Sequence, residues 1–204
     1  MAEKKPISNH LLSTLADGLL SVGCVKFGEF TLKSGQKSPI YIDLRRLVAF
    51  PELLKQVAAA YAEIMDGLDF DMLAALPYAA MPIGTAISLH GSWPMIYPRK
   101  EVKGYGTKVE VEGVYEAGQR VVVIDDLISS GGSKLEGIQK LNAAGLEVED
   151  IVVLIDRQSD GVDFMGEHGY KLHSVFTLPQ LLDHWEQNGA VDAAIIAKTR
   201  AFLG

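Results

Sequence analysis

The hydrophobic residues of this chain follow two patterns, a helical spacing in some segments and short unbroken runs in others. Apolar residues three and four positions apart predict helices, at residues 7–22, 52–66, 82–90, 134–141, 179–188 and 192–202. Unbroken apolar runs predict strands with both faces covered, at residues 71–76, 95–97, 121–124 and 150–155. A last strand is predicted at residues 169–175. The alternation of the two patterns predicts an α/β fold, with a mainly parallel twisted sheet flanked by helices.

Residues 27–44 have a different pattern, because apolar residues alternate with polar ones on either side of a turn-forming stretch. That stretch reads SGQKSP, so the segment predicts two strands joined by a turn. Lys33 and Lys37 lie at this turn, and from the pattern alone they are as readily solvated turn charges as functional ones. At 204 residues, the chain fits one domain, 1–204, with a substantial core and a small appendage.

Composition and charge argue against several classes of protein. The formal net charge of −7 argues against a general affinity for nucleic acid or acidic membranes. The single cysteine, Cys24, excludes an internal disulfide and suits a reducing compartment. No apolar run approaches a membrane-spanning length, and no secretory signal follows Met1. We therefore expect a soluble cytoplasmic protein.

The most informative stretch is residues 121–133, which read VVVIDDLISSGGS. It predicts a buried strand, then the two carboxylates Asp125 and Asp126, then a loop of small hydroxyl and glycine residues before a helix. Such a loop at the carboxyl end of a strand lets backbone N–H groups and a helix N-terminus surround a phosphate. Carboxylates beside a phosphate need another partner, and sugar hydroxyls or a divalent cation would suit them. The stretch therefore favours a site for a phosphorylated sugar.

A purely structural strand and turn is the alternative for this stretch, since an Asp-Asp strand end also occurs in receiver domains and on metal-binding strands of NTPases. The P-loop pattern is absent, because the order of Gly132, Ser133 and Lys134 does not match it, and no GxGxxG follows a predicted strand. The five histidines show no metal-ligand spacing.

A second informative stretch, residues 99–108, reads RKEVKGYGTK and concentrates cations in an acidic chain. Its cations are Arg99, Lys100, Lys103 and Lys108. A solvated basic hairpin is one interpretation. The other is a mobile lid containing glycines, since the stretch begins at the carboxyl end of a predicted strand and its charge would stabilise a departing pyrophosphate.

Arg157 follows another predicted strand, where its guanidinium could bind a planar carboxylate through two parallel hydrogen bonds. A structural ion pair with Asp156 is the alternative. Because the carboxyl ends of parallel strands share one edge of a sheet, we expect the polar groups that follow the apolar runs to gather in one site. These groups are Tyr78, Arg99, Asp125, Asp126 and Arg157.

At this point the residues resemble a known family. The stretch VVVIDDLISSGGS resembles the 5-phosphoribosyl-1-pyrophosphate (PRPP) signature of type I phosphoribosyltransferases. Three further tracts, FTLKSGQKSPIYIDLR, YPRKEVKGYGTKVEVEG and LIDRQSDG, are similar to motifs of the orotate phosphoribosyltransferases, over roughly residues 27–177. The tracts PRKEVKGYGT and LPYAAMP are especially similar to the transferase half of bifunctional UMP synthases.

The resemblance implies the type I phosphoribosyltransferase fold, with a small N-terminal hood over roughly residues 1–45. It implies transfer of ribose 5-phosphate from PRPP to N1 of orotate, with Mg²⁺, giving orotidine 5′-phosphate and pyrophosphate in UMP biosynthesis. It also implies a homodimer, in which the neighbouring subunit offers Lys103. Nothing after Asp192 leaves room for a decarboxylase barrel, so we expect the transferase activity alone.

Carried over residue by residue, the resemblance implies three groups of site residues. Asp125 and Asp126 would hold the ribose hydroxyls and, with Lys103, are the expected catalytic residues. The other implied PRPP contacts are Lys33, Tyr78, Arg99, Lys100, Tyr105, Leu127, Ile128, Ser129, Ser130, Gly131, Gly132 and Ser133. The implied orotate contacts are Lys33, Tyr41, Ile42, Ser129 and Arg157. No side chain is assigned to the metal, which would be held mainly through PRPP.

Two positions depart from the pattern of many bacterial members of the family. Ala79 stands where they have a PRPP-contacting lysine and Tyr105 where a histidine is common, and both departures resemble the UMP-synthase branch. Two other functions stay open, a transferase for another base and a nucleotide-sensing regulator that binds nucleic acid. Arg157 and the LKSGQKSP tract argue against the first, while the acidic net charge and the lack of a helix-turn-helix domain argue against the second.

Overall fold

The computed structural model describes residues 7–31, 35–100, 110–158 and 162–203. Its strands are β1 (Val25–Thr31), β2 (Lys37–Ile42), β3 (Met72–Ala75), β4 (Met95–Pro98), β5 (Val111–Glu112), β6 (Arg120–Ile128), β7 (Glu147–Asp156) and β8 (Lys171–Thr177). Its helices are α1 (Asn9–Ser21), α2 (Pro51–Met65), α3 (Ala80–Gly91), α4 (Gly132–Ala143), α5 (Phe164–Glu167), α6 (Leu178–Gln187) and α7 (Ala193–Leu203). A 3₁₀ helix covers Leu44–Ala49.

The main sheet has six strands in the order β5-β4-β3-β6-β7-β8. All of them run parallel except β5, which pairs antiparallel with β4 at one edge. The chain leaves β3 for β4 on one side and later places β6 on the other side of β3. The carboxyl ends of β3 and β6 therefore flank the topological switch point, where open α/β sheets bind ligands. The predicted α/β fold with a mainly parallel sheet is confirmed.

The strand β6 lies inside the sheet and sends its side chains alternately into two cores. Val122 and Ile124 belong to the core that contains α2 and α3, on one face of the sheet. Val121 and Val123 belong to the core that contains α4, on the other face. Each of these buried side chains stabilises the fold by about 2 kcal/mol. Because both faces are covered, the run is apolar at every position, as the sequence pattern predicts.

The strand β6 is longer than its apolar run predicts. It continues to Ile128, so Asp125 and Asp126 lie within the strand and not in the loop after it. The backbone pairing with β7 continues as well, with Asp125 opposite Val153 and Leu127 opposite Ile155. A strand ladder uses backbone groups only, so it can extend past the point where side chains become polar. The two carboxylates are consequently held on a rigid element.

The N-terminal hairpin and α1 pack onto the larger of the two cores. β1 and β2 pair antiparallel, with Val25 opposite Ile42, as the alternating pattern predicts. Phe27 of β1 meets Trp185 of α6 edge-on, with ring centroids 5.8 Å apart. The indole N–H of Trp185 donates to the backbone oxygen of Ala16 in α1 at 3.1 Å. The hairpin, α1 and α6 are thus connected through one buried tryptophan.

Three short elements were not predicted, namely β5, α5 and the 3₁₀ helix. Elements of this length contain too few residues for a hydrophobic period to be recognised. The strand β5 matters for the site, because its pairing with β4 brings Glu112 opposite Tyr97. None of the helices in the described part of the chain has the length and apolar character needed to cross a bilayer.

Candidate active site

Residues at the carboxyl ends of β3, β4 and β6 line one cleft at this edge of the sheet. The cleft has a volume of about 90 Å³ and lies between these strand ends and α4. Its lining includes Pro77 after β3, Arg99 and Lys100 after β4, Asp125 of β6 and Ser133 of α4. The start of the basic segment and the Asp-Asp strand therefore meet in one place, as the order of the strands predicts.

Two larger clefts lie elsewhere on the molecule. One, of about 580 Å³, is beside α5, and one, of about 300 Å³, is at the amino ends of β6, β7 and β8. In the second, Arg120 faces Asp69 and Lys171 faces Glu149, so these charges are paired within the protein. Neither cleft has a predicted site residue among the lining residues that the structure describes.

Asp125 is a buried carboxylate, and both of its oxygens are bonded within the protein. Its Oδ1 accepts a hydrogen bond from the backbone N–H of Asp126 at 2.9 Å, and its Oδ2 lies 2.7 Å from Nζ of Lys134 on α4. The hydroxyl of Tyr61 on α2 donates to the backbone oxygen of Asp125 at 2.7 Å. Burial raises the pKa of Tyr61 well above its usual range, so this hydroxyl remains a donor. Three elements thus fix the position of Asp125.

Asp126 is less enclosed than Asp125. Its Oδ1 accepts a hydrogen bond from the backbone N–H of Leu127 at 2.8 Å. Burial, and after it the negative charge of Asp125, raise the pKa of Asp126 to about 7. Asp126 therefore holds its proton to a higher pH than an ordinary aspartate does. A carboxylate in this state responds strongly to any ligand that offers it hydrogen-bond donors.

The loop after β6, predicted to be the phosphate cradle, leads into the N-terminus of α4. Gly131 is the N-cap residue and has φ +71°, and no side chain caps the helix. A Cβ atom at Gly131 would lie 2.1 Å from Cδ1 of Phe164, so only glycine fits there. Ser129, Ser130, Gly132 and Ser133 are exposed around it. An uncapped helix N-terminus with exposed hydroxyls can bind an anion, because its free backbone N–H groups and the hydroxyls are hydrogen-bond donors.

Arg99 and Lys100, at the end of β4, have different partners. The guanidinium of Arg99 forms an ion pair with Glu112 on β5. The Nζ atom of Lys100 lies 5.1 Å from the centre of the Tyr78 ring, a cation–π distance. Tyr78 itself is 65% exposed, and the peptide bond between Pro77 and Tyr78 is cis. All three predicted residues thus lie at the same edge of the sheet, although Arg99 has a carboxylate partner that the sequence did not predict.

Lys140 of α4 connects the helix to this basic pair. Its Nζ atom donates to the backbone oxygen of Arg99 at 2.6 Å and to that of Lys100 at 3.1 Å. The same residue also lines the 90 Å³ cleft. The helix that begins at the phosphate cradle is therefore tied to the strand end that carries the cations.

Arg157 lies at the end of β7 with its side chain half-buried. Its backbone N–H donates to the oxygen of Ile128 at 2.9 Å, which places it next to the loop after β6. Burial lowers the pKa of Arg157. The ion pair with Asp156 considered above is not formed, because the Asp156 carboxylate accepts hydrogen bonds from Gln158 instead. In the described part of the chain no carboxylate pairs with this guanidinium.

Tyr41 and Ile42, predicted to contact orotate, lie on β2. The Tyr41 ring stacks on Phe30, with ring centroids 5.4 Å apart, and its hydroxyl accepts a hydrogen bond from Arg45 at 3.3 Å. Their contact with orotate stays a prediction. Four other predicted positions lie outside the described residues, namely Lys33, Lys103, Tyr105 and Lys108. For residues 99–108 the basic-hairpin and lid interpretations therefore both stay open.

Besides Glu112, three residues around the site were not predicted, namely Tyr61, Lys134 and Lys140. Tyr61 lies on the core face of α2, and the two lysines occupy ordinary helical positions. Their partners are as far as 64 positions away along the chain, a separation that no local period reports. Only Lys134 could have been recognised from the sequence. A cation in the first turn of a helix is disfavoured by the helix dipole, which indicates that it has a specific partner.

Comparison with known proteins gives the family. No family model matches the chain. The orotate phosphoribosyltransferase of Caenorhabditis elegans is 38% identical to it over 169 residues, which cover 82% of this chain and 74% of that protein. The chain belongs to the orotate phosphoribosyltransferase family. Its resemblance to that family, which the Asp-Asp signature and the basic tract carried, is confirmed.

Two longer proteins, both UMP synthases, are also similar to this chain. The uridine 5′-monophosphate synthase of Bos taurus is 40% identical over 198 residues, which cover 96% of this chain and 41% of that protein. The structure of UMP synthase from Leishmania donovani superimposes with a TM-score of 0.85 at 49% identity, covering 94% of this chain and 42% of that one. The chain therefore spans about two-fifths of the length of these relatives.

Proposed function

We propose that this chain transfers ribose 5-phosphate from PRPP to N1 of orotate, giving orotidine 5′-phosphate and pyrophosphate in UMP biosynthesis. The observation that carries the proposal is the cleft in which the Asp125 strand, the N-terminus of α4 and the cations Arg99 and Lys100 meet. A ribose with a phosphate at one end and a diphosphate at the other offers hydroxyls and two anionic groups. Carboxylates can accept hydrogen bonds from the hydroxyls, and a helix N-terminus and two cations can bind the two anionic groups.

The proposed donor site divides among three elements. The N-terminus of α4, with Ser129, Ser130 and Ser133 around it, binds the 5′-phosphate. The carboxylates of β6 face the ribose hydroxyls, and Arg99 with Lys100 faces the diphosphate. Arg99 exchanges its Glu112 partner for the diphosphate, since a doubly charged diphosphate end is the stronger acceptor. The remaining implied PRPP contacts are Lys33, Tyr78, Tyr105, Leu127, Ile128, Gly131 and Gly132.

The proposed chemistry needs no covalent intermediate with the protein. Orotate becomes a nucleophile when N1 is deprotonated, the N1–C1′ bond forms, and the bond from C1′ to the diphosphate oxygen breaks. The protein holds the two reactants in line. Its cations stabilise the negative charge that develops on the departing diphosphate. Lys103, which we propose comes from the neighbouring subunit of a homodimer, would add to this charge.

We propose Mg²⁺ as the cofactor, bound mainly through PRPP. Within the described residues no cluster of three or more His, Cys, Asp or Glu side chains is arranged to hold a metal. The site fits Mg²⁺ in another way, because this ion commonly binds one or two carboxylates together with substrate phosphates, and Asp126 lies half-buried beside the phosphate cradle. When bound, Mg²⁺ neutralises charge on the diphosphate.

Arg157 is the proposed selector of orotate. Its half-buried guanidinium without a carboxylate partner among the described residues can pair with the carboxylate of orotate through two hydrogen bonds. Uracil lacks that carboxylate and would leave the guanidinium unpaired. Lys33, Tyr41, Ile42 and Ser129 would complete the base site. A cytoplasmic location belongs to the same proposal, and the single buried thiol of Cys24 supports it.

The proposal is tested by following the loss of orotate absorbance in the presence of PRPP and Mg²⁺. Uracil and hypoxanthine serve as competing bases in parallel assays. Turnover of orotate alone is expected. Preferential turnover of hypoxanthine or uracil would make the protein a transferase for another base, and binding of DNA in a gel shift without any turnover would favour the nucleotide-sensing regulator.

A further inference from the structure

Lys134 and Asp125 form the most buried ion pair among the described residues. The Nζ atom of Lys134 lies 2.7 Å from Oδ2 of Asp125, and the two side chains are 6% and 11% exposed. Lys134 is in the first turn of α4, where the helix dipole disfavours a cation. Removal of both charges from water adds a further cost. A lysine at this position needs a specific partner, and Asp125 provides it.

This ion pair limits what Asp125 can bind. One carboxylate oxygen of Asp125 accepts the backbone N–H of Asp126 at 2.9 Å, and the other faces the ammonium group of Lys134. Asp125 is 8% exposed, whereas Asp126 is only half-buried. A ribose hydroxyl therefore reaches Asp126 more readily than it reaches Asp125.

We propose that Lys134 is a positioning residue that acts through Asp125: it fixes the Asp125 carboxylate in β6, and the strand end then presents Asp126 to the ribose hydroxyls of PRPP. The inference deepens the proposed function and rests on it. It assigns Asp125 to the support of the site and Asp126 to direct contact with the sugar. The family resemblance assigns ribose contacts to both carboxylates and gives Lys134 no role.

Removal of one partner has a physical consequence that removal of both does not have. Without Lys134, the Asp125 carboxylate stays buried without a cation, so it must turn to other donors or take up a proton. Without Asp125, the ammonium group of Lys134 is left in the same position. Either change disturbs the strand end that holds Asp126. If both charges are removed together, no unpaired charge is left, so the effects of the two changes should not add.

The test is a double-mutant cycle with Lys134→Met, Asp125→Asn and the double variant. Calorimetry gives the Kd of PRPP, and initial rates give the KM values of PRPP and orotate. We expect each single variant to raise the Kd and KM of PRPP about tenfold. The Kd of the double variant should be no higher than that of the single variant that binds PRPP more weakly. The KM of orotate should change by less than about twofold. Gln139→Met, an exposed change on the same helix, is the matched control and should bind PRPP like the wild type.

A third substitution keeps the inference testable if Lys134→Met does not fold. Lys134→Gln retains a hydrogen-bond donor to Asp125, so it should lose less PRPP affinity than Asp125→Asn does. Additive losses in the cycle, or equal increases in the KM of orotate and PRPP, would overturn the positioning role. If the wild type binds PRPP but turns over no orotate, the proposed function fails while the calorimetric cycle still decides the role of Lys134.

Discussion

The Nζ atom of Lys140 lies 2.6 Å from the backbone oxygen of Arg99, which joins the last turn of α4 to the end of β4. The same helix begins at the phosphate cradle around Gly131. One rigid element thus sets the distance between the proposed 5′-phosphate site and the proposed diphosphate site. A phosphorylated sugar that spans both sites requires that distance to be fixed.

The first prediction concerns Lys140. We expect Lys140→Met to raise the KM of PRPP about tenfold, because a charged donor to two backbone oxygens is lost, while the KM of orotate changes little. Steady-state kinetics with each substrate varied in turn measures this difference. Gln139→Met, an exposed neighbour, controls for the added methionine. Equal changes in both KM values would argue for a general loss of structure.

The second prediction concerns Arg157. We expect Arg157→Ala to raise the KM of orotate roughly a hundredfold and that of PRPP less than threefold, because two charge-assisted hydrogen bonds are removed. Arg157→Lys keeps the positive charge but not the planar pair of donors, so it should give an intermediate KM for orotate. If the alanine variant raised both KM values equally, Arg157 would not be the carboxylate partner.

The fold could be predicted from the sequence because its main elements are long enough to show a period. The run at Val121–Ile124 predicts a central strand, since alternate residues enter opposite cores. The strand β5 could not be predicted in this way, because two residues contain no pattern. The predicted end of β6 was wrong for a different reason, because the backbone ladder extends past Ile124, where the side chains become polar.

The site could be predicted in part, because parallel strands place their carboxyl ends together. This rule brings Arg99 and Asp125 to one cleft without knowledge of any side-chain contact. The contacts themselves could not be predicted. Glu112, which pairs with Arg99, lies on the unpredicted strand β5. Lys134 and Lys140 have the spacing of solvated helix residues, and only the folded chain shows that one faces Asp125 and the other the backbone of β4.

The third prediction concerns the pH dependence of stability and is carried by Asp126. Its pKa is raised from 3.8 to about 7 in the folded protein, so the proton is bound more tightly in the folded than in the unfolded chain. The resulting stabilisation is complete below about pH 4 and is lost as the pH rises to about 7. Over this interval the free energy of unfolding should fall by roughly 1.4 kcal/mol for each pH unit on account of this group.

Chemical denaturation of the unliganded protein between pH 4 and pH 8 measures this effect. Asp126→Asn is the control, since an amide does not titrate, and the difference in unfolding free energy between the wild type and this variant isolates the group. The difference should change up to about pH 7 and then level off. A difference that is constant over the whole range would show that Asp126 has the pKa of an ordinary carboxyl.

The fourth prediction contrasts two adjacent glycines of the phosphate cradle. We expect Gly131→Ala to lower the free energy of unfolding by roughly 2 kcal/mol and to weaken PRPP binding, because Gly131 has φ +71° and a Cβ there would lie 2.1 Å from the Phe164 ring. Gly132→Ala is the matched control for stability, since no heavy atom lies within 4 Å of its added Cβ. Its unfolding free energy should stay within about 0.5 kcal/mol of the wild type. If the two variants were equally stable, the loop would not depend on the conformation of Gly131, and the phosphate cradle would have to be built differently.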